Sequence, residues 1–147
     1  LSEAEHAHPK IDWRHGADQA RSFVNNQMQN IGNGAVAGKQ FRGNSSTGGV
    51  WYTGNDFPAE YQNTYFHADY SAGWIRNFGF DENNAPTFVK DFKLNAGAVV
   101  FLNTSPIENG LYYVRYPNQI RRITFTGNSN KKPIAIVESE KTACIME

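Results

Sequence analysis

The chain has 147 residues, equal numbers of basic and acidic side chains (14 and 14) and a single cysteine. This length fits one domain or a piece of one. A formal net charge of zero gives no sign of a nucleic-acid or other polyanionic partner. No apolar run approaches the roughly 20 residues of a membrane helix, so no membrane span is predicted.

Residues 1–48 are predicted to be loop-rich, because Gly, Asn, Ser and Gln are frequent and apolar residues show little periodicity. Only residues 18–29 are a candidate for a short helix, and its apolar positions are sparse: Ala20, Phe23, Val24 and Met28. A loop-rich stretch of this length favours either a functional role or the capping of a scaffold. Residues 1–3 are expected to lie inside a longer chain.

Short strands joined by turns are predicted from Gly49 onward, because aromatic residues make up 14% of the chain and Gly, Asn and Pro separate the apolar runs. One group of predicted strands covers residues 50–53, 65–70, 74–80 and 88–92. A second group covers residues 98–102, 111–116 and 119–125. Trp74, Phe78 and Phe80 alternate along one strand, which indicates packing between sheets in preference to ligand binding.

The two groups of strands resemble each other. Ile75-Arg76 in the first matches Ile120-Arg121 in the second, an offset of 120 − 75 = 45 residues. A period in the forties with about four strands per unit is typical of a β-propeller blade. We therefore predict an all-β fold, a partial β-propeller of about two antiparallel four-stranded blades with a loop-rich N-terminal segment.

Three parts of the chain follow from this pattern. Residues 1–48 are the loop-rich segment of the propeller, residues 49–127 are two C-terminal blades, and residues 128–147 are a linker and the start of a further domain. The polar run at 128–133 separates the blades from a predicted strand at 134–137 that does not belong to the blade pattern. This last part is expected to be truncated.

Several motifs resemble the late blades of glucose/sorbosone dehydrogenase-like proteins. They are GGVWY at 48–52, FPAEY at 57–61, YFHADY at 65–70, GWI at 73–75, GLYY at 110–113 and IRRI at 120–123. The tail KPIAIV at 132–137 resembles the entry into a PKD-type immunoglobulin-like domain. The spaced pattern FPAEY…YFxADYxxGWI is the most specific part of this resemblance, which covers residues 44–137.

The resemblance implies a secreted or periplasmic six-bladed propeller whose best-known members oxidise sugars with pyrroloquinoline quinone (PQQ) and calcium. It implies two kinds of partner, a sugar or polysaccharide ligand and the remaining propeller blades. In that family the catalytic His belongs to an early blade, so no catalytic residue is expected here. This segment alone is expected to be inactive and to hold neither cofactor nor metal.

Asp69, Tyr70 and Asn95 are the candidate pocket residues. Asp69 and Tyr70 end a predicted strand beside a glycine turn, where loops on a rigid scaffold commonly build pockets. An Asp at this place can equally cap its own turn, and both interpretations stay open. The resemblance places the cations that hold PQQ near Ser71 and at residues 94–96, and neither position is basic.

Two functions from different classes are therefore predicted. The first is a fragment of a quinoprotein-type sugar dehydrogenase, which the motifs favour. The second is a propeller scaffold without redox activity that binds carbohydrate or protein. The second is favoured by the lack of basic residues at the two cofactor positions, because a tricarboxylate ligand needs cations.

Overall fold

The computed structural model describes residues 8–127, 136–137 and 141–142. Within these residues the chain forms three β-sheets and a short 3-10 turn at Ala59–Tyr61. The all-β prediction is confirmed. No helix in the described residues is long and apolar enough to cross a membrane.

The first sheet lies where a helix was predicted. It consists of β1 (Ile11–Trp13), β2 (Ala20–Val24) and β3 (Gln27–Asn30), paired antiparallel in that order. Asn25 and Asn26 join β2 to β3 with φ angles of 52° and 60°. Two consecutive left-handed residues form the tight turn that suits a two-residue hairpin, and Asn tolerates that conformation. The prediction of a helix over residues 18–29 is wrong. The turn at Asn25-Asn26 favours a hairpin more strongly than the few regularly spaced apolar residues favour a helix.

The second sheet contains the motif-bearing strands. Its members are β4 (Ala37–Gly38), β5 (Ser46–Tyr52), β6 (Thr64–Asp69), β7 (Trp74–Phe80) and β8 (Pro86–Lys93). Strands β5 to β8 form an antiparallel meander, and β4 adds to its edge in parallel with β8. A bulge between Ser46 and Gly49 interrupts the pairing of β5 with β6. The four strands predicted here are confirmed, with β5 starting earlier than expected.

The third sheet repeats the meander with β9 (Val99–Thr104), β10 (Leu111–Arg115) and β11 (Gln119–Thr124). Two short strands, β12 (Ile136–Val137) and β13 (Lys141–Thr142), both pair antiparallel with β11. The end of the strand predicted at 134–137 therefore adds to this sheet, which gives β11 a hydrogen-bonding partner at its free edge. The rest of the predicted linker and PKD-type segment at 128–147 lies outside the described residues.

The three sheets pack face to face in chain order. The core between the second and third sheets consists of Tyr52, Phe57, Tyr61, Phe66, Ala68, Ile75, Ala96, Val99, Leu102, Leu111, Tyr113 and Ile123. The core between the first and second sheets consists of Ala20, Ile31, Val36, Phe41, Trp74, Phe78 and Val89. Antiparallel meanders stacked in this way are the arrangement expected of neighbouring propeller blades.

The 45-residue offset appears in the third strand of each meander. Ile75 is the second residue of β7, and Ile120 is the second residue of β11. Ile75 is fully buried between the second and third sheets, whereas Ile120 is 43% exposed. Ile120 lies on the opposite face of β11 from buried Ile123, because residues three apart in a strand point to opposite sides. Ile75 therefore points away from the first sheet, and Ile120 points away from the second sheet. In both meanders this residue faces away from the sheet that comes before it in the chain.

Candidate functional site

Asp69 is a structural residue at the end of β6. Its side chain is fully buried. One carboxylate oxygen, Oδ2, accepts hydrogen bonds from the backbone N–H groups of Asn44 (2.8 Å) and Ser45 (2.9 Å). The other, Oδ1, accepts from the backbone N–H of Ala72 at 2.8 Å. The structure therefore shows the turn-capping role that the sequence left open, and the role of Asp69 as a pocket residue stays a prediction.

Tyr70 and Asn95 lie at the same end of the second sheet as Asp69. The backbone N–H of Tyr70 donates to Ser45 O at 2.8 Å, and its half-buried ring lies 6.4 Å from the ring of Tyr116. Asn95 is exposed and has a left-handed φ of 59°. The next residue, Ala96, donates its N–H to Gly73 O at 2.7 Å, which holds the two turns together. Their role as pocket residues stays a prediction.

The residues at the two positions expected to bind PQQ do not fit a tricarboxylate. Ser71 is exposed, and its Oγ lies 3.1 Å from Ser45 Oγ. Ala96 is fully buried. Arg115 packs against Gly97, and its Nη1 donates to Gln119 Oε1 at 3.1 Å. Neither Ser71 nor residues 94–96 supply the cations that three carboxylates need.

The described residues also gather no group of three or more His, Cys, Asp or Glu side chains suited to a metal ion. The described residues at these positions therefore offer no site from which PQQ or calcium chemistry can be derived.

An aromatic cleft between the first and second sheets has the features of a binding site. Its volume is about 310 Å³. It is lined by Lys10, Ile11, Trp13, Ser46, Tyr65, His67, Phe78 and Phe80. We refer to these residues as the aromatic cleft.

Strand register explains why the rings meet in the aromatic cleft. Tyr65 of β6 pairs with Phe78 of β7 and with Trp51 of β5, so the three side chains form a row across one face of the sheet. His67 and Phe80 lie two residues further along their strands and share that face. Trp51 is 43% exposed, and its ring centroid lies 5.6 Å from that of Phe80. An exposed indole therefore extends the row at its edge.

Trp13 of β1 closes the cleft from the first sheet. Its ring meets the rings of His67 at 5.2 Å and Trp74 at 5.5 Å, both in edge-to-face geometry. Gly43 makes this approach possible, because a Cβ at that residue would collide with the indole Nε1 of Trp13 and with Oδ2 of Asp69. The buried Asp69 carboxylate and the Trp13 ring thus pack around the same glycine.

His67 lines the aromatic cleft and is a titratable group. Its Nε2 lies 2.7 Å from Ser46 Oγ, and its Nδ1 lies 3.4 Å from the hydroxyl of Tyr65. Burial lowers the pKa of His67 from 6.5 to about 4, and the charge of Asp69 offsets part of that effect. His67 is therefore neutral at physiological pH.

His67→Gln is expected to reduce the loss of stability that the protein shows as pH falls from 6.5 to 4. A His whose pKa is lowered in the folded state binds fewer protons there than in the unfolded chain. Its contribution to stability is therefore complete above pH 6.5 and is lost as pH falls towards 4. Urea unfolding of both proteins at several pH values measures the difference. Equal pH dependence of the two midpoints would contradict the prediction.

Sequence reasoning did not point to this site. Trp74, Phe78 and Phe80 were predicted to pack between sheets in preference to binding a ligand; Trp74 and Phe78 are 4% and 3% exposed, and Phe78 and Phe80 line the cleft. The contributions of Trp13 and Ser46 were missed, because Trp13 reaches the cleft only through the packing of the first sheet on the second, and Ser46 reaches His67 only through the pairing of β5 with β6 beside a bulge. The alternation of Tyr65 with His67 was the one available signal.

Comparison of the chain with models of protein families, with curated proteins and with solved structures found no match. The resemblance to glucose/sorbosone dehydrogenase-like propellers therefore stays a prediction from the motifs.

Proposed function

We propose that this chain is a β-sheet scaffold of propeller type that binds a carbohydrate in the aromatic cleft. The observation that carries the proposal is the combination of aromatic rings with polar groups around one cavity. A sugar ring has C–H faces that pack on aromatic rings, and hydroxyl groups at its rim that need donors and acceptors. Ser46, His67 and Lys10 supply such groups beside the rings. Apolar walls with a few placed polar groups are typical of small-ligand sites.

The size of the aromatic cleft suits a small ligand. Its volume of about 310 Å³ lies at the lower end of the roughly 300–1,000 Å³ seen for ligand pockets. This favours one or two sugar units within the cleft. Exposed Trp51 at its edge offers a further surface for a longer chain.

The charge of the aromatic cleft is too small to attract a polyanion strongly. Of the residues that line it, Lys10 is the only Lys or Arg, none is Asp or Glu, and His67 is neutral. The chain as a whole has a formal net charge of zero. A polyanion would find little electrostatic attraction here, whereas a hydroxyl-rich ring is recognised by hydrogen bonds and stacking.

The sugar-oxidising function implied by the motifs concerns a longer protein that includes the remaining blades. It rests on the FPAEY…YFxADYxxGWI pattern, and the secreted or periplasmic location is proposed on the same ground. Titration of a full-length protein with PQQ and calcium, followed by dye-linked sugar oxidation, tests it. Carbohydrate binding is part of the sugar-oxidising function, and it is one of the two kinds of binding, carbohydrate or protein, predicted for a scaffold without redox activity.

Tyr65→Leu is expected to weaken sugar binding roughly 2–13-fold. This is the factor that corresponds to losing an aromatic contact of about 0.5–1.5 kcal/mol while an apolar side chain is kept. NMR titration with a panel of neutral mono- and disaccharides measures the affinity, and shifts of His67 ring signals locate the ligand. Tyr116→Leu is the matched control, since Tyr116 is 60% exposed and lies outside the aromatic cleft.

Two outcomes would contradict the proposal. In the first, no saccharide in the panel shifts signals of the aromatic cleft at millimolar concentration. In the second, Tyr65→Leu and Tyr116→Leu change the affinity equally, which would place the ligand elsewhere.

A further inference from the structure

Ser46 and His67 form a hydroxyl–imidazole pair at the edge of the aromatic cleft. Ser46 begins β5, and His67 lies on the neighbouring strand β6. Ser46 Oγ and His67 Nε2 are 2.7 Å apart, within the distance at which a base activates a nucleophile. Ser46 is exposed and borders the cavity, so an incoming molecule can reach its hydroxyl.

The Tyr65 hydroxyl lies 3.4 Å from His67 Nδ1 and can donate or accept there, so its position is compatible with the tautomer in which this pair is reactive. When Nδ1 carries the ring proton, it donates to the Tyr65 hydroxyl at 3.4 Å. Nε2 then holds a free lone pair and accepts the hydroxyl proton of Ser46. Burial raises the pKa of Tyr65, which keeps its phenol protonated and neutral. The arrangement has the order nucleophile, base and orienting group.

The bulge in β5 supplies the third feature. Ser46 pairs with Asp69 and Gly49 with His67, so Thr47 and Gly48 have no partner residue on β6. Thr47 Oγ1 donates to Ala68 O at 3.1 Å and anchors the bulge. Gly48 has a φ of 85°, and no atom lies within 4 Å of the position of a Cβ. Thr47 and Gly48 thus follow the serine outside the regular pairing with β6.

We propose that Ser46 and His67 are a nucleophile–base pair that hydrolyses small esters whose acyl or aryl part occupies the aromatic cleft. The inference goes beyond carbohydrate binding and does not require that the ligand be a sugar. An acylated sugar would satisfy both proposals, because its ring and its ester could occupy the same cavity.

The reaction balances with water as the only co-reactant. Ser46 Oγ forms a bond to the ester carbonyl carbon, and its proton passes to His67 Nε2. The carbon–oxygen bond to the alcohol breaks, and the alcohol leaves with that proton. Water then attacks the acyl-serine while His67 takes one of its protons. The bond to Ser46 Oγ breaks, the serine regains the proton, and a carboxylic acid is released.

Because of the environment of His67, covalent labelling of Ser46 is expected to detect the reaction more sensitively than a turnover assay. Neutral His67 can accept a proton at pH 7, but its lowered pKa makes it a weak base. Turnover is therefore expected to be slow, whereas a trapping reagent accumulates on the serine. A fluorophosphonate probe with an aryl group forms a stable bond to an activated serine and places its ring in the cleft.

The experiment treats the folded chain with this probe and maps the label by peptide mass spectrometry. The expected result is labelling at Ser46, retained in Ser45→Ala and lost in Ser46→Ala. Ser45→Ala is the matched control, because Ser45 Oγ contacts Ser71 Oγ and not the imidazole. His67→Gln is expected to slow labelling and the hydrolysis of p-nitrophenyl acetate about 100-fold, the low end of general-base contributions.

Three results would overturn the proposal: labelling of the folded chain no faster than of the urea-unfolded chain, labelling at another residue, or an unchanged rate in His67→Gln. Mapping on the unsubstituted chain decides the site even if a variant fails to fold. Saccharide titration does not depend on the fluorophosphonate probe. If the ester reaction fails, the carbohydrate proposal still stands. If no saccharide binds, the labelling experiment still tests the ester reaction.

Discussion

Trp74→Ala is expected to lower the free energy of unfolding by about 3–5 kcal/mol, as for other buried large aromatics. Trp74 is 4% exposed, and its ring meets Trp13 and Phe41 at 5.5 and 5.6 Å. Its indole Nε1 donates to Arg42 O at 2.8 Å. The substitution removes the ring that joins the first and second sheets and also leaves that carbonyl without its donor.

Urea unfolding followed by circular dichroism measures this loss. Trp51→Ala is the matched control, because Trp51 is 43% exposed and is expected to cost far less. Equal shifts of the two midpoints would show that the interface between the first and second sheets contributes little to stability.

Asp69→Ala is expected to destabilise the protein by about 3 kcal/mol, because it leaves three backbone N–H groups without their charged acceptor. Two of these groups belong to Asn44 and Ser45, and the third belongs to Ala72. The carboxylate therefore ties the chain before β5 to the turn after β6. Its loss would release the segment that carries Ser46 and would loosen the packing around Trp13.

Asp69→Asn is expected to have an intermediate effect, since its amide group must turn an NH2 towards at least one of the three N–H donors. Asp81→Ala is the control. Asp81 is exposed, and its Oδ1 accepts from the N–H groups of Asn83 and Ala85 in a similar turn. A loss of about 1 kcal/mol or less is expected there. Equal losses at Asp69 and Asp81 would contradict the structural role assigned to the buried carboxylate.

The strand content of this chain was predictable because its signals are local. Alternation along 74–80 and the turn residues around Gly73 and Asn109-Gly110 are properties of neighbouring residues, and the strands lie where these patterns place them. The prediction was wrong at 18–29. There the Asn25-Asn26 turn is also a local signal, and it decides the structure because two left-handed residues favour a hairpin over a helix with sparse apolar spacing.

The candidate site was less predictable, and Asp69 shows why. Its position at a strand end beside a glycine indicates equally a pocket residue and a turn cap. The choice depends on whether the segment at 44–45 passes over the carboxylate, and no pattern near Asp69 contains that information.

The sequence by itself determined an all-β chain with meanders in a repeat of about 45 residues, because hydrophobic alternation and turn chemistry act over a few neighbouring positions. Only the tertiary structure decided which residues share the aromatic cleft. Trp13 reaches His67 through the packing of two sheets, and Ser46 reaches it through a bulge that shifts the register of β5. Both contacts depend on register and sheet packing between distant segments. A shift of one residue would turn each side chain to the other face while leaving the local pattern of the sequence unchanged.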